Sequence, residues 1–110
     1  MNNILPETAV PFPNAYFVDV TPEIAQSWLD ANKSDRPVSE SQVQKFAAKM
    51  QAGQWRMNHN GIAFAKDGTL LDGLHRLLAV VHSGMTVPMI VVINEPVENM
   101  DVIDNRHLNQ

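Results

Sequence analysis

Between Ile62 and Ile93 the hydrophobic period changes from that of a strand to that of a helix and back, which limits the folds open to this chain. Ile62 to Ala65 and Thr69 to Leu71 are short apolar runs separated by Lys66-Asp67-Gly68, and Asp-Gly between such runs is a strong hairpin signal. Leu74, Leu77, Leu78 and Val81 then recur at helical spacing between Gly73 and Ser83, with Gly84 as the C-terminal stop. Those four side chains are expected to be mostly buried. Val87 to Ile93, rich in branched residues, reads as a buried strand. The expectation is an α/β (α+β) domain with a mixed sheet and packed helices. The unit from Thr69 to Ile93 is a right-handed crossover if its two strands are parallel neighbours.

The first half fits the same plan. Tyr16, Val18 and Val20 alternate within Ala15 to Val20, as in a strand. Thr21-Pro22-Glu23 places a hydroxyl cap, a proline and an acid where a helix begins, and Ile24, Trp28 and Leu29 mark its stripe to about Asn32. Asp35-Arg36-Pro37 breaks that pattern. Ser39-Glu40-Ser41-Gln42 has the form of a capping box, followed by Val43, Phe46, Ala47 and Met50 at helical spacing and closed by Gly53. Residues 1–14 carry three prolines and no period, so they read as an extended N-terminal arm before a single domain over 15–110. The tail from Pro96 starts another helix or turn.

Charge and composition narrow the function. A formal net charge of -4 gives the whole chain no attraction for nucleic acid, so any such contact needs a local basic patch. With no cysteine, disulfides and thiol catalysis are excluded, which suits the cytosol. The longest apolar run contains Pro88 and is far too short to span a bilayer, and no secretory signal is visible. A cytoplasmic protein is the expectation.

The chemistry concentrates in Asp72-Gly73-Leu74-His75-Arg76, where a strand gives way to a helix. Free N–H groups and the positive end of the helix dipole lie there, ready for an anion such as phosphate. Asp72 is expected to cap the helix from its side chain. Gly73 opens the backbone to the anion, and His75 and Arg76 supply donors. The structural alternative is a capped helix whose histidine and arginine are solvated, and the residues alone leave both readings open. His59 and Asn60 read first as a turn before Gly61, His82 as a complement to a helix C-terminus, and Trp28 and Trp55 as packing. No histidine pair has metal-ligand spacing, and no nucleophile elbow or Walker loop is present.

The ordered string Asp35-Arg36-Pro37-Val38-Ser39, Gly53-Gln54-Trp55, Asn60-Gly61-Ile62-Ala63-Phe64 and Asp67 to Leu77 resembles the ParB/sulfiredoxin-type domain over about Tyr16 to Asp104. It is most similar to the small phage and mobile-element members with a Leu-Leu-Asp-Gly-Gln-His-Arg-Leu (DGQHR-like) signature. The resemblance implies a nucleotide site: CTP in ParB, ATP or ADP in sulfiredoxin and the free-serine kinases. On that pattern Gly73, His75 and Arg76 match phosphate-contacting positions, and Arg36, Asn60 and Gly61 border the same pocket. Asp72 matches the acid of the kinase-like and phage-type members. It is the candidate base or Mg²⁺ ligand, with His75 as the second candidate catalytic residue. Leu74 departs from the glutamine of these relatives. Sulfiredoxin activity is excluded because its cysteine is replaced by Leu74. The relatives often run on beyond Ile103-Asp104, and without a helix-turn-helix or dimerisation tail in the sequence a partition role is not expected.

The leading expectation is therefore a nucleotide-binding domain of this type, taking ATP or CTP with Mg²⁺, in the host cytoplasm if phage-encoded. NTPase, kinase-like phosphotransfer and nuclease activities stay open, with DNA or a host protein as further partners. Nuclease activity has the least support, since neither clustered acids nor a basic face is visible. The alternative is a non-enzymatic interaction module that binds a host or phage protein with the same fold and a decayed site.

Overall fold

A computed structural model of the chain describes residues 5–12, 14–32, 36–56 and 61–95. Its elements run β1 (Val10–Phe12), β2 (Ala15–Val20), α1 (Pro22–Ala31), α2 (Glu40–Gln51), β3 (Ile62–Ala65), β4 (Leu70–Asp72), α3 (Leu74–Ser83) and β5 (Val87–Glu95). The result is an α+β domain with a five-stranded mixed sheet in the order β1-β2-β5-β3-β4. Only β3 and β5 pair in parallel, and the other neighbours are antiparallel.

Local chemistry accounts for the helix boundaries. The Thr21 hydroxyl accepts from Ile24 N–H at 3.1 Å and starts α1. The Ser39 hydroxyl accepts from Gln42 N–H at 3.3 Å and starts α2, which Gly53 closes at φ 71°. Gly84, at φ 70°, stops α3 as expected.

Two expectations are made more specific here. The strand β1 lies inside the stretch read as an extended arm: Val10 to Phe12 pairs with Ala15 to Phe17, and Asn14 takes φ 57° between the two strands. Backbone pairing with β2 supplied what sequence periodicity lacked. The strands flanking α3 are not parallel neighbours either. β3 lies between β4 and β5 and runs antiparallel to β4, so the connection that joins parallel strands is the longer one from β3 through β4 and α3 to β5. The expected tail helix lies outside the described residues.

A central strand seldom tolerates proline, yet Pro88 sits in β5. Its partner on one side is Asp19 of β2, while the β3 register begins only at Val91. Among the described residues, Pro88 is therefore at a place where β5 has a single paired neighbour.

The core forms between one sheet face and the helices. Val18, Val20, Val87, Met89, Val91, Ile62 and Phe64 meet Ala25, Trp28, Val43, Ala47, Met50 and the inner side of α3. That inner side is Leu74, Leu77, Ala79 and Val80, whereas Leu78 and Val81 are only half-buried. The expected stripe is thus rotated, because α3 packs against both α1 and α2 as well as the sheet and is covered over a wider arc. On the opposite sheet face Ala65 and Leu71 form a small second cluster with Ala63. Among the described residues, no helix is long and apolar enough to cross a membrane.

Leu77 is 0% exposed at the centre of this packing, so Leu77→Ala should lower the unfolding free energy by about 2–5 kcal/mol in a urea titration. A loss below about 1 kcal/mol would contradict a packed core at this position.

The hairpin turn yields an acid-limb prediction. The hydroxyl of Thr69, then its backbone N–H (2.9 Å to Asp67 Oδ1), holds the Asp67 carboxyl below its ordinary value of 3.8. A depressed native value contributes stability that is present above the unfolded carboxylate range and lost as pH falls through the native value. Asp67→Asn keeps an oxygen acceptor and should flatten the stability curve below about pH 4. An acid limb identical in wild type and variant would count against this role.

Candidate functional site

The residues singled out in the sequence gather where β4 passes into α3, and the junction is built on two glycines. Asp72 ends β4, Gly73 stands at the cap position with φ 106°, and Leu74 opens α3. A Cβ on Gly73 would lie 2.5 Å from Ile62 Cδ1 and 3.1 Å from the Gly61 carbonyl oxygen. A Cβ on Gly61 would lie 1.9 Å from the carbonyl oxygen of Ile90 in β5. Gly61 is thus required by backbone packing. At Gly73 the left-handed φ is the main requirement, since Ile62 Cδ1 is the movable end of a side chain.

Asp72 does not occupy the cap position expected of it. That position falls on Gly73, which has no side chain to offer a cap bond. The Asp72 carboxylate is nine-tenths buried and lies 3.7 Å from Arg76 Nη1, one turn along. The backbone set this: the cap position takes a left-handed φ that favours glycine, so the aspartate stands one residue earlier.

Each cation of the motif has an internal partner. Arg76 Nη1 donates to the Gly61 carbonyl at 2.8 Å, tying the first turn of α3 to the start of β3. Arg36 Nη2 donates to the carbonyls of Leu70 and Leu71, both at 3.1 Å. The Leu70 N–H donates in turn to Asn32 Oδ1 at 3.0 Å. Asn32 and Arg36 therefore cover part of the free edge of β4, the outermost strand on this side.

His75 links two helices. Its Nε2 accepts from the backbone N–H of Ser39 at 3.0 Å, so Nε2 is unprotonated and the ring hydrogen lies on Nδ1. Ser39 is the cap residue of α2. The positive ends of α2 and α3 therefore meet at one place, within reach of Arg36 and Arg76. The first turns of α1 and α2 carry Glu23 and Glu40, as the helix dipole favours, whereas that of α3 carries no acid and holds Arg76. The buried carboxylate of Asp72 offsets part of this positive potential.

The arrangement suits an anion better than a bare metal. Among the described residues there is no group of three or more His, Cys, Asp or Glu side chains placed to hold an ion. Asp72 would be a lone carboxylate already facing Arg76, which fits a Mg²⁺ only if phosphate oxygens complete its shell.

Of the expected site residues, Arg36, Gly61, Asp72, Gly73, His75 and Arg76 come together here, and Asn60 lies outside the described residues. Sequence reasoning missed Asn32 and Ser39 as partners of the site. Their contacts span 38 and 36 positions along the chain, and no local pattern encodes such pairings. Leu74 packs into the core, as its place on the α3 stripe led one to expect. No family model, curated protein or solved structure matches the chain.

Placement in an ion pair rather than a cap changes what Asp72→Asn should do. As a cap the substitution would be nearly neutral, but here it removes the charge that faces a largely buried Arg76. A destabilisation of about 1–3 kcal/mol is expected in chemical denaturation. A change within about 0.5 kcal/mol would return Asp72 to a capping role.

Proposed function

We propose that this protein is a nucleotide- or phosphate-binding domain of the ParB/sulfiredoxin-like type found in phages and mobile elements, with the phosphate held where α2 and α3 begin. The observation that carries this reading is the first turn of α3, which has Arg76 and no acid and meets the positive end of α2 through the His75–Ser39 bond. A cation at the positive end of a helix opposes the dipole, and such a violation of a local rule is expected at functional positions. An incoming phosphate relieves it. Backbone N–H groups of the first turn and the guanidinium of Arg76 would contact the phosphate, with Arg36 behind β4 contributing charge.

ATP or CTP with Mg²⁺ is the proposed ligand. The metal would neutralise phosphate charge, and Asp72 is the residue that would face it. Asp72 and His75 are the candidates for any phosphoryl chemistry, with DNA or a host protein as acceptor or partner. His75 Nε2 is able to take a proton only after leaving Ser39. Turnover with His75 as base therefore needs a rearrangement at the start of α2 that simple binding does not.

A specific observation also favours the second reading, a non-enzymatic interaction module with the same fold. Leu74 is buried where the DGQHR-like signature has glutamine, and Arg36 and Arg76 both hold backbone carbonyls. The motif would then serve folding, and binding would occur elsewhere.

Calorimetry with ATP and CTP, each with and without Mg²⁺, separates the two readings. Arg76→Ala should weaken nucleotide binding at least about tenfold, the effect of ~1.4 kcal/mol. Thermal unfolding of the same variant verifies that the fold survives, and the half-exposed His75→Ala is the second variant. No binding of either nucleotide at millimolar concentration would refute the nucleotide site and leave the interaction module.

A further inference from the structure

A cavity of about 570 Å³ opens at the other end of the β3–β4 hairpin, beside its turn and away from the β4–α3 junction. Leu5 and Pro6 wall one side, Ile24 and Ala31 of α1 another, and Phe64, Asp67 and Gly68 of the hairpin the rest. Trp28 and Phe64 form its floor as an edge-to-face pair, with ring centroids 5.2 Å apart. Both rings belong to the buried core, so the floor is fixed before anything binds. The volume lies within the range of small-molecule sites, which are mostly apolar with a few placed polar groups.

We propose that this cavity is a second ligand site, and that it takes a small organic cation carrying an apolar or aromatic body. The chemistry of the lining selects that class. Among the described residues Asp67 is the one charged residue in the lining, and hydrogen bonds from Thr69 hold its carboxylate ionised. The neutral polar groups are already engaged: Ser27 Oγ donates to the Ile24 carbonyl, and Asn32 donates to the Trp28 carbonyl while accepting from Leu70 N–H. Among the described lining residues an anion meets a carboxylate and no charged donor. A neutral amphiphile gains the apolar floor alone, whereas a cation gains the floor and the carboxylate. Asn32 also ties the cavity wall to β4, so occupancy is read at the Leu70 amide as well as at the Trp28 indole.

The test is a ¹H–¹⁵N NMR titration with three probes of one shape: 2-phenylethylammonium, 2-phenylethanol and phenylacetate. The ammonium should give saturable shifts at the Trp28 indole N–H and the Leu70 amide, with the alcohol weaker and phenylacetate weakest. Asp67 is fully exposed, so solvent screening keeps the charge preference to about two- to fivefold. Asp67→Asn should bring the ammonium down to the affinity of the alcohol, and filling the cavity with Ala31→Leu should weaken all three probes. The proposal is overturned by the absence of saturable shifts up to about 10 mM, or by equal binding of ammonium and alcohol to the wild type. It is equally overturned if the preference for the ammonium survives Asp67→Asn.

Discussion

The β4–α3 junction rests on a contact that only glycine permits. Gly73 packs against Ile62 and the Gly61 carbonyl, and Gly61 packs against the carbonyl of Ile90. These two close approaches lock the hairpin end, the first turn of α3 and the central strand β5 together. Arg76 reaches the Gly61 carbonyl at 2.8 Å because the backbone has come so near. The left-handed backbone at Gly73 decides the fate of Asp72, since the cap position goes to the residue that adopts it most easily. A glycine that the sequence suggests for phosphate access is thus first a packing residue, and the candidate site inherits its geometry from that packing.

The edge of the sheet shapes the site from the other side. β4 is short and outermost, and an uncovered edge would expose its N–H and C=O groups. Asn32, at the end of α1, and Arg36, ahead of α2, bond to those groups. This clamp also fixes where α2 begins, next to His75. Edge protection and the placing of the α2 start beside α3 are therefore carried by residues at the two helix ends, Asn32 and Arg36 on β4 and Ser39 on His75.

Most of the elements were legible in the sequence because each has local punctuation. Thr21-Pro22, Ser39 with Gln42, Asp67-Gly68 and Gly84 act within a few residues of themselves, and the helices and hairpin start and stop close to where these signals stand. The strand β1 was not legible. Its prolines erase the periodic signal, and only pairing with β2 makes it a strand. The burial of Ala79 and Val80 ahead of Leu78 and Val81 was equally hidden, since it depends on α1 and α2 flanking α3.

For the candidate site, the sequence by itself determined which residues are chemically capable: an acid, a glycine, a histidine and an arginine at a strand-to-helix transition, with Arg36 upstream. It did so because side-chain chemistry and helix-start signals are local properties. Tertiary structure alone decided their roles. It turned Asp72 from a cap into the partner of Arg76, aimed His75 at Ser39, and drew Arg36 onto the carbonyls of β4. These outcomes depend on contacts more than thirty residues apart in the chain for His75 and Arg36, and on the left-handed backbone at Gly73 for Asp72. Close packing chooses among the local options, and no neighbouring residue in the sequence carries that choice.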